Sequence, residues 1–182
     1  MALARRFRKP PVELPALWQS WQTQLQALEA GADLGAMEAA QQQALQAWKA
    51  QAQKVVWRLA SLGGYTNQDL PIALDLENNC VRGTIANCKR YTSKKFVTLW
   101  TQTFLDEVAS KTNRLPFVYS YPQFLENAML RTPELRNFPL WLAHYGINPA
   151  DPLGQPGQKI SGCFVHSWTT SNCSSDWMLW QY

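Results

Sequence analysis

The chain has 182 residues, of which 46% are hydrophobic, so it is not mainly disordered and can form one globular domain with a buried core. The formal net charge of +4 is compatible with an anionic polymer as partner but selects no class of protein by itself. Nine tryptophans mildly favour a carbohydrate site, because indole rings stack on sugars, although packing in and around the core explains most of them.

Residues 1–13 are predicted to be a basic, proline-rich tail. Four basic residues cluster there beside two prolines, namely Arg5, Arg6, Arg8 and Lys9. Such a cluster can bind nucleic acid or be a solvated tail. We favour the tail and expect no nucleic-acid partner, since a nucleic-acid role would rest on this cluster alone.

Residues 14–182 are predicted to form a single α/β domain that begins with a helical segment over 14–62. This segment is rich in Ala, Gln and Leu, which favour helices, and glycines at 31 and 35 divide it. Asp33 is a candidate cap for a second helix over about 36–62. The apolar residues of this helix keep the spacing of one buried face, namely Leu45, Trp48, Ala52, Val55, Val56 and Leu59.

Strands and helices alternate after this segment. Residues 70–77 (LPIALDLE) are almost wholly apolar, which is typical of a buried strand in a parallel sheet. The pattern then predicts, in order, a helix over 92–111, a strand over 117–121, a helix over about 122–130, and strands over 138–145, 162–168 and 177–182. This order predicts an α/β fold with parallel neighbouring strands.

Two acids, Asp75 and Glu77, come at the C-terminal end of the first predicted strand. A spacing of two puts both side chains on one face, roughly 6–7 Å apart along the chain. Neighbouring carboxylates in a partly apolar setting do not ionise independently, so one can act as an acid while the other stays charged. Cleavage of a glycosidic bond needs this combination. Taken alone, however, an Asp-x-Glu tripeptide is common, and two solvated strand-end acids are its ordinary explanation.

The ends of the later strands carry aromatic side chains and one amide. These residues are Tyr119 and Tyr121, then Trp141 and Tyr145, and finally Trp180, Gln181 and Tyr182. Strand ends of a parallel sheet meet at one edge, so these groups would share one mouth with the two acids. A sugar-binding cleft requires such a set of apolar and polar groups.

Together these motifs resemble the glycoside hydrolase family 25 lysozymes, the Chalaropsis-type muramidases. The resemblance covers about residues 65–182 and rests on an Asp-x-Glu strand, a tyrosine strand, a Leu-Trp-x-Ala-x-Tyr strand and a closing Trp-Gln-Tyr, here at 70–77, 117–121, 138–145 and 180–182. It implies an irregular or incomplete (β/α) TIM-like barrel with a long helical N-terminal segment. It also implies hydrolysis of the β-1,4 bond between N-acetylmuramic acid and N-acetylglucosamine with retained configuration.

The resemblance also implies roles for single residues. Glu77 stands where the family has its general acid. Asp75 stands where the family's second acid either orients the substrate's acetamido group or acts as nucleophile. Four residues match positions that line the family's cleft, namely Tyr119, Trp141, Tyr145 and Gln181; Tyr121 and Trp180 complete our set of substrate-binding candidates. His144 falls at a variable position and is expected to lie at the surface or in a hydrogen bond.

The chain also departs from the family's pattern. The family's opening strand with another aspartate, and its Tyr-His strand, are not recognisable before the long helix, and no aspartate follows Trp-Gln-Tyr because the chain ends at Tyr182. We therefore expect a C-terminal piece of a longer protein, a trimmed chain, or a divergent member whose barrel is rebuilt with the helices of 14–62.

Three functions are compatible with these features. The first is a peptidoglycan hydrolase acting on glycan strands, either a phage endolysin or an antibacterial effector with an immunity protein or a parent-chain domain as candidate partner. The second is a catalytically silent wall-binding domain with a lysozyme-like fold. The third is a scaffold protein built on the long helix, in which case the strand motifs would be coincidence. We favour the hydrolase.

The four cysteines form two close pairs, Cys80 with Cys88 and Cys163 with Cys173. The sequence leaves open whether they form two local disulfides or remain thiols, because four cysteines allow three pairings. Their spacing does not match a zinc site, and we expect neither a metal nor another cofactor.

No apolar stretch approaches the roughly 18–20 residues that span a bilayer, so we expect no membrane insertion. The N-terminus also lacks the pattern of a signal peptide. We expect the protein to act in the periplasm or cell wall of a target bacterium, exported by a holin, by a specialised secretion system or as part of a larger protein.

Overall fold

The computed structural model describes residues 34–151, 154–159 and 161–182. The tail predicted over 1–13, the first predicted helix and the candidate cap Asp33 lie outside these residues. The chain divides into two compact units, Met1–Ala44 and Leu45–Tyr182, and the packing described below belongs to the second. None of the helices in the described ranges is both long and apolar enough to cross a membrane.

The long N-terminal helix, α1, runs over Leu34–Ser61 and confirms the helix predicted over 36–62. It ends where Gly63 adopts a φ of +100°, a conformation that favours glycine. The N–H of the next residue, Gly64, then donates to the carbonyl of Leu59 at 3.0 Å. Trp48 and Ala52 are buried as the spacing predicts, whereas Leu45 is exposed.

The strands, in chain order, are β1 (Ala73–Asp75), β2 (Cys80–Gly83), β3 (Cys88–Tyr91), β4 (Phe117–Ser120), β5 (Leu140–Ala143) and β6 (Leu179–Gln181). Helix α2 (Lys94–Thr112) lies between β3 and β4. Helix α3 (Pro122–Ala128) and a short 3-10 helix (Glu134–Asn137) lie between β4 and β5. The predicted alternation of strands and helices is therefore confirmed from β1 to β5.

Four strands form one parallel sheet in the order β1, β4, β5, β6. Side chains alternate between the two faces of a strand, and one face carries apolar residues at matched register, such as Leu74, Val118 and Leu140. These side chains are buried in a single core with residues of α2, including Leu105 and Val108. The opposite face is left for the polar and aromatic residues of the strand ends.

Helix α2 closes the core over that apolar face. It begins after Ser93, whose hydroxyl accepts a hydrogen bond from the N–H of Phe96 at 3.3 Å. It ends at Asn113, which adopts the left-handed conformation with a φ of 53°. Its buried residues follow the spacing of one helix face, as the sequence predicts, and are Val97, Thr98, Thr101, Phe104, Leu105 and Val108.

The strand predicted over 162–168 is wrong. This stretch is a series of turns with isolated bridges, and it lies inside a disulfide between Cys163 and Cys173. Side chains rather than a strand ladder satisfy its backbone, since the Thr169 hydroxyl accepts from the N–H of His166 at 2.8 Å and donates to the carbonyl of Phe164 at 2.6 Å. Its apolar pattern reflects burial of Trp168 in the core.

The hairpin formed by β2 and β3 was not predicted from the sequence. Its two strands pair antiparallel with register shifts, and a disulfide joins Cys80 to Cys88. Bulged, mostly exposed strands lack the regular alternation by which a strand is recognised. Both cysteine pairs are therefore disulfides, and the structure has no free cysteine among the described residues.

The predicted barrel is confirmed only in part. Its parallel α/β character is present, but within the described residues β1 and β6 are the two edges of a four-stranded sheet, and no closure is seen. A closed barrel of this class has eight parallel strands.

Replacing the helix cap tests how α2 begins. We expect Ser93→Ala to lower the free energy of unfolding by about 0.5–2 kcal/mol, because the first turn loses an acceptor for an N–H group. Ser110→Ala, an exposed position of the same helix, is the matched control and should change it by less than about 0.5 kcal/mol. Chemical denaturation measures both, and equal effects would contradict the capping role.

Candidate active site

Three of the predicted site residues lie in one row across the sheet. Asp75 of β1 is the register partner of Tyr119 in β4, which in turn is the partner of Trp141 in β5. Register partners in a parallel sheet point to the same face, so the carboxylate and both rings share the face opposite the core. The Tyr119 and Trp141 rings meet edge to face, with centroids 5.4 Å apart.

Glu77 lies just beyond β1, and hydrogen bonds from β4 hold the backbone that leads to it. The N–H of Leu76 donates to the carbonyl of Tyr119 at 2.9 Å, and the buried Ser120 hydroxyl donates to the carbonyl of Leu76 at 2.6 Å. The hydroxyl of Tyr121 lies 3.4 Å from the Glu77 carbonyl. Strand β4 thus fixes the position of Glu77 relative to Asp75.

The Asp75 and Glu77 side chains are hydrogen-bonded to each other, and this bond sets their proton affinities apart. Burial raises the pKa of Asp75, and the hydrogen bond from Glu77 offsets this rise only in part. For Glu77, burial, the charge of Asp75 and the shared hydrogen bond all raise the pKa. Glu77 is therefore the partner that keeps its proton to higher pH, while Asp75 is the partner that ionises.

A second hydrogen-bond chain runs from the last strand toward the acids. The amide of Gln181 donates to the hydroxyl of Tyr145 at 2.7 Å, and Tyr145 is in turn hydrogen-bonded to Tyr119. Burial, this hydrogen bond and the charges of the two acids raise the pKa of Tyr119 far above its ordinary value. The Tyr119 hydroxyl is consequently neutral and lies beside the acid pair.

Trp180 is the predicted site residue that the structure does not bring to the acids. It is the register partner of Leu142, a buried residue of the core face, so it lies on the face opposite Gln181. Its indole N–H donates to the carbonyl of His144 at 3.2 Å, and its ring lies 5.3 Å from that of Tyr182. The spacing of a Trp-Gln-Tyr triplet puts only the middle residue on the face of the acids.

Both histidines form hydrogen bonds within the protein. His144 is half-buried, and its Nδ1 accepts from the N–H of Gly157 at 2.9 Å. Burial lowers the pKa of His166 to about 4, and its Nε2 lies 3.2 Å from the Ser175 hydroxyl. Across the ranges that the structure describes, no cluster of three or more His, Cys, Asp or Glu residues could hold a metal ion.

Ser120 is the contributor to this site that sequence analysis missed. It is fully buried between two tyrosines in the sequence, and its register partner in β5 is the apolar Leu142. A hydroxyl there must find a partner, and it finds the carbonyl of Leu76 next to the acid pair. The usable sequence clue was a serine interrupting the apolar face of a buried strand.

One comparison with known proteins bears on this arrangement. A family model described as Glycosyl hydrolases family 25 matches residues 18–182. The match is therefore longer than the stretch over 65–182 that carries the motifs. Among curated proteins, none matches the chain.

The raised pKa of Glu77 predicts that this carboxylate costs stability at neutral pH. A native state that binds a proton more tightly than the unfolded state loses stability as the pH rises from the ordinary glutamate value of 4.5 through the raised value. We expect the free energy of unfolding at pH 7 to be higher for Glu77→Gln than for the wild type. The glutamine amide can still donate to Asp75. The gain should stay below about 1 kcal/mol, because water screens these largely exposed groups.

Comparing the variant with the wild type at low pH tests the direction of the pKa shift of Glu77. Below pH 4.5 the carboxyl becomes protonated in both states, so the advantage of Glu77→Gln should disappear in denaturation curves. Glu134→Gln, which removes an equal charge from the exposed 3-10 helix, is the matched control. An advantage that grows on acidification would show that the pKa of Glu77 is lowered instead.

Proposed function

Because the chain belongs to glycosyl hydrolase family 25, we propose that it is a peptidoglycan hydrolase, a lysozyme that cleaves the β-1,4 bond between N-acetylmuramic acid and N-acetylglucosamine. One observation carries the proposal: Asp75 and Glu77 lie together on the open face of the sheet, where burial, the charge of Asp75 and their shared hydrogen bond all raise the pKa of Glu77. Glycosidic cleavage requires one group of each kind at the scissile bond.

In the proposed reaction, Glu77 donates its proton to the glycosidic oxygen, which leaves as a hydroxyl while positive charge develops at the anomeric carbon. Asp75 supplies the negative charge that stabilises this carbon. A carboxylate nucleophile normally stands about 5–5.5 Å from the acid, on the other side of the bond. Two hydrogen-bonded carboxyls are closer than that, which favours a mechanism in which Asp75 orients the acetamido group of the substrate to act as internal nucleophile. Water then attacks the anomeric carbon of the cyclic intermediate with Glu77 as base, which returns the proton to Glu77 and completes hydrolysis with retained configuration.

The neighbouring side chains provide the binding surface in this proposal. Trp141 is half-buried, with its ring held edge to face against Tyr119, so one ring face is available to stack on a sugar. The hydroxyls of Tyr119, Tyr121 and Tyr145 and the amide of Gln181 supply hydrogen bonds to sugar hydroxyl and acetamido groups. Trp180 has no part in this surface, since it lies on the other face of β6.

We extend the proposal to the fold and to the place of action. The four parallel strands would be part of an irregular (β/α) barrel, which is supported by the position of both acids at the C-terminal end of a parallel strand. Two disulfides support action in an oxidising compartment, the periplasm or cell wall of a target bacterium. An endolysin or an antibacterial effector acts there, the latter with an immunity protein as partner.

A silent wall-binding domain is the second candidate, and the small size of the sheet favours it. Within the described residues the sheet that carries the acid pair has four parallel strands, fewer than a closed barrel has. A binding module would hold glycan strands with the same aromatic face but would not depend on the proton of Glu77. Replacing this one carboxyl therefore separates the two candidates.

We expect Glu77→Gln to reduce the release of reducing sugar from purified peptidoglycan by at least about 100-fold, because the leaving oxygen loses its proton donor. Mass spectrometry of the wild-type digest should find muramic acid at the new reducing ends. Glu134→Gln is the matched control and should cut at the wild-type rate. Equal, negligible release by wild type and Glu77→Gln, with retained binding to the wall, would instead establish the silent domain.

The acid pair also predicts a bell-shaped pH profile of kcat/KM. The rate should rise as Asp75 ionises and fall as Glu77 loses its proton, with the falling limb above the ordinary glutamate range because the pKa of Glu77 is raised. Initial rates on soluble glycan fragments across pH 3–9 measure both limbs. A rate that climbs steadily to alkaline pH would exclude Glu77 as the acid.

A further inference from the structure

The hairpin of β2 and β3 begins three residues after Glu77 and is strongly basic. Between residues 78 and 92 the chain has three basic residues and no acidic one, and the basic residues are Arg82, Lys89 and Arg90. All three are exposed. The hairpin thus carries three positive charges and follows the two acids closely in the sequence.

The base of this hairpin is firmly closed beside the acid pair. The N–H of Thr92 donates to the carbonyl of Asn79 at 2.8 Å, and the side-chain amide of Asn79 donates to the carbonyl of Thr92 at 3.2 Å. The Cys80–Cys88 disulfide links the base of β2 to the turn end of β3. These hydrogen bonds and the disulfide hold the hairpin, which we call the basic arm, at its base. This base lies two residues from Glu77.

Arg82 and Arg90 are register partners across the hairpin. Like charges placed directly opposite each other destabilise an antiparallel pair. In the described ranges the ion pairs are Lys111 with Glu107 and Lys159 with Glu126, so neither arginine is neutralised by a carboxylate. An anion bound between the two guanidinium groups would remove this repulsion, and guanidinium matches carboxylate in geometry.

The acid pair is not that anion. The pKa of Glu77 is raised by burial and by Asp75, and no arginine opposes the shift. Nor does an ion pair join either guanidinium group to Asp75 or Glu77 among the described residues. The basic arm and the acid pair are separate features, and the arm remains available to a ligand that reaches past the acids.

We infer that the Arg82–Arg90 pair is a second binding site, which holds a free carboxylate of the stem peptides that peptidoglycan carries on its muramic acid residues. The inference rests on the proposed function, which lays a glycan strand along the acid pair. The sugars of that strand are uncharged, whereas each stem peptide ends in carboxylates. A stem that leaves a muramic acid next to the cleavage point would meet the basic arm, and the arm would select glycan that still bears its peptides.

Binding to a catalytically disabled chain tests this inference without requiring hydrolysis. Using Glu77→Gln as background, the Kd is measured for two sets of stem-bearing glycan fragments, one whose stem carboxylates are free and one in which these carboxylates have been converted to neutral amides. We expect tighter binding of the set with free carboxylates, and we expect the added change Arg82→Gln/Arg90→Gln to abolish this preference by weakening only that set about three- to tenfold. Lys54→Gln/Arg58→Gln removes two positive charges from α1 and should leave the preference intact.

The outcomes separate this inference from the proposed function. Equal weakening of both sets, an unchanged preference after Arg82→Gln/Arg90→Gln, or no preference at all would overturn it, as would binding of phosphate-rich wall polymer in place of the stems. If the wild-type chain cuts neither substrate but the arginine-dependent preference is found, the hydrolase proposal falls and the stem-binding site stands. Raising the salt concentration should reduce the preference, because exposed charges are screened.

Discussion

The structure of the candidate site depends on one shared proton between Asp75 and Glu77. Two carboxyls that close cannot both be ionised without strong repulsion, so the hydrogen bond assigns the proton to one of them. The surroundings decide which one, because burial, the charge of Asp75 and the shared hydrogen bond all raise the pKa of Glu77. Two residues of similar intrinsic acidity thus acquire different proton affinities.

The parallel sheet and its core hold this pair in place. Leu74 and Leu76 point into the apolar core, which forces the intervening and following acids to the opposite face. Ser120 ties the carbonyl of Leu76 to β4 just where β1 has ended. Packing of the apolar face therefore holds the polar face in place. Helix α2, which is capped by Ser93, covers the apolar face.

Local patterns predicted much of this arrangement and failed where tertiary contacts override them. The bounds of α1, α2 and α3 and the face of Asp75 follow from helix and strand periodicity, which is a property of the chain itself. The segment around Trp168 has an apolar pattern because one indole is buried, although its backbone is satisfied by the side chain of Thr169. The hairpin from Cys80 to Tyr91 was missed because a disulfide and bulges, rather than alternation, define it. Trp180 was assigned to the cleft from a motif, without regard to the alternation that puts it on the other face.

Both disulfides close short loops, with sequence separations of 8 and 10, and neither joins two strands of the parallel sheet. The parallel sheet is therefore not held together by a disulfide, although the loop closed by Cys163–Cys173 contributes Trp168 to the core. In the reducing interior of a cell that makes the protein, the acid pair can already be assembled while the basic arm and the loop around His166 are still unlocked. In an oxidising compartment the two disulfides would then form. They would stabilise the hairpin and the loop around His166 after the parallel sheet has folded.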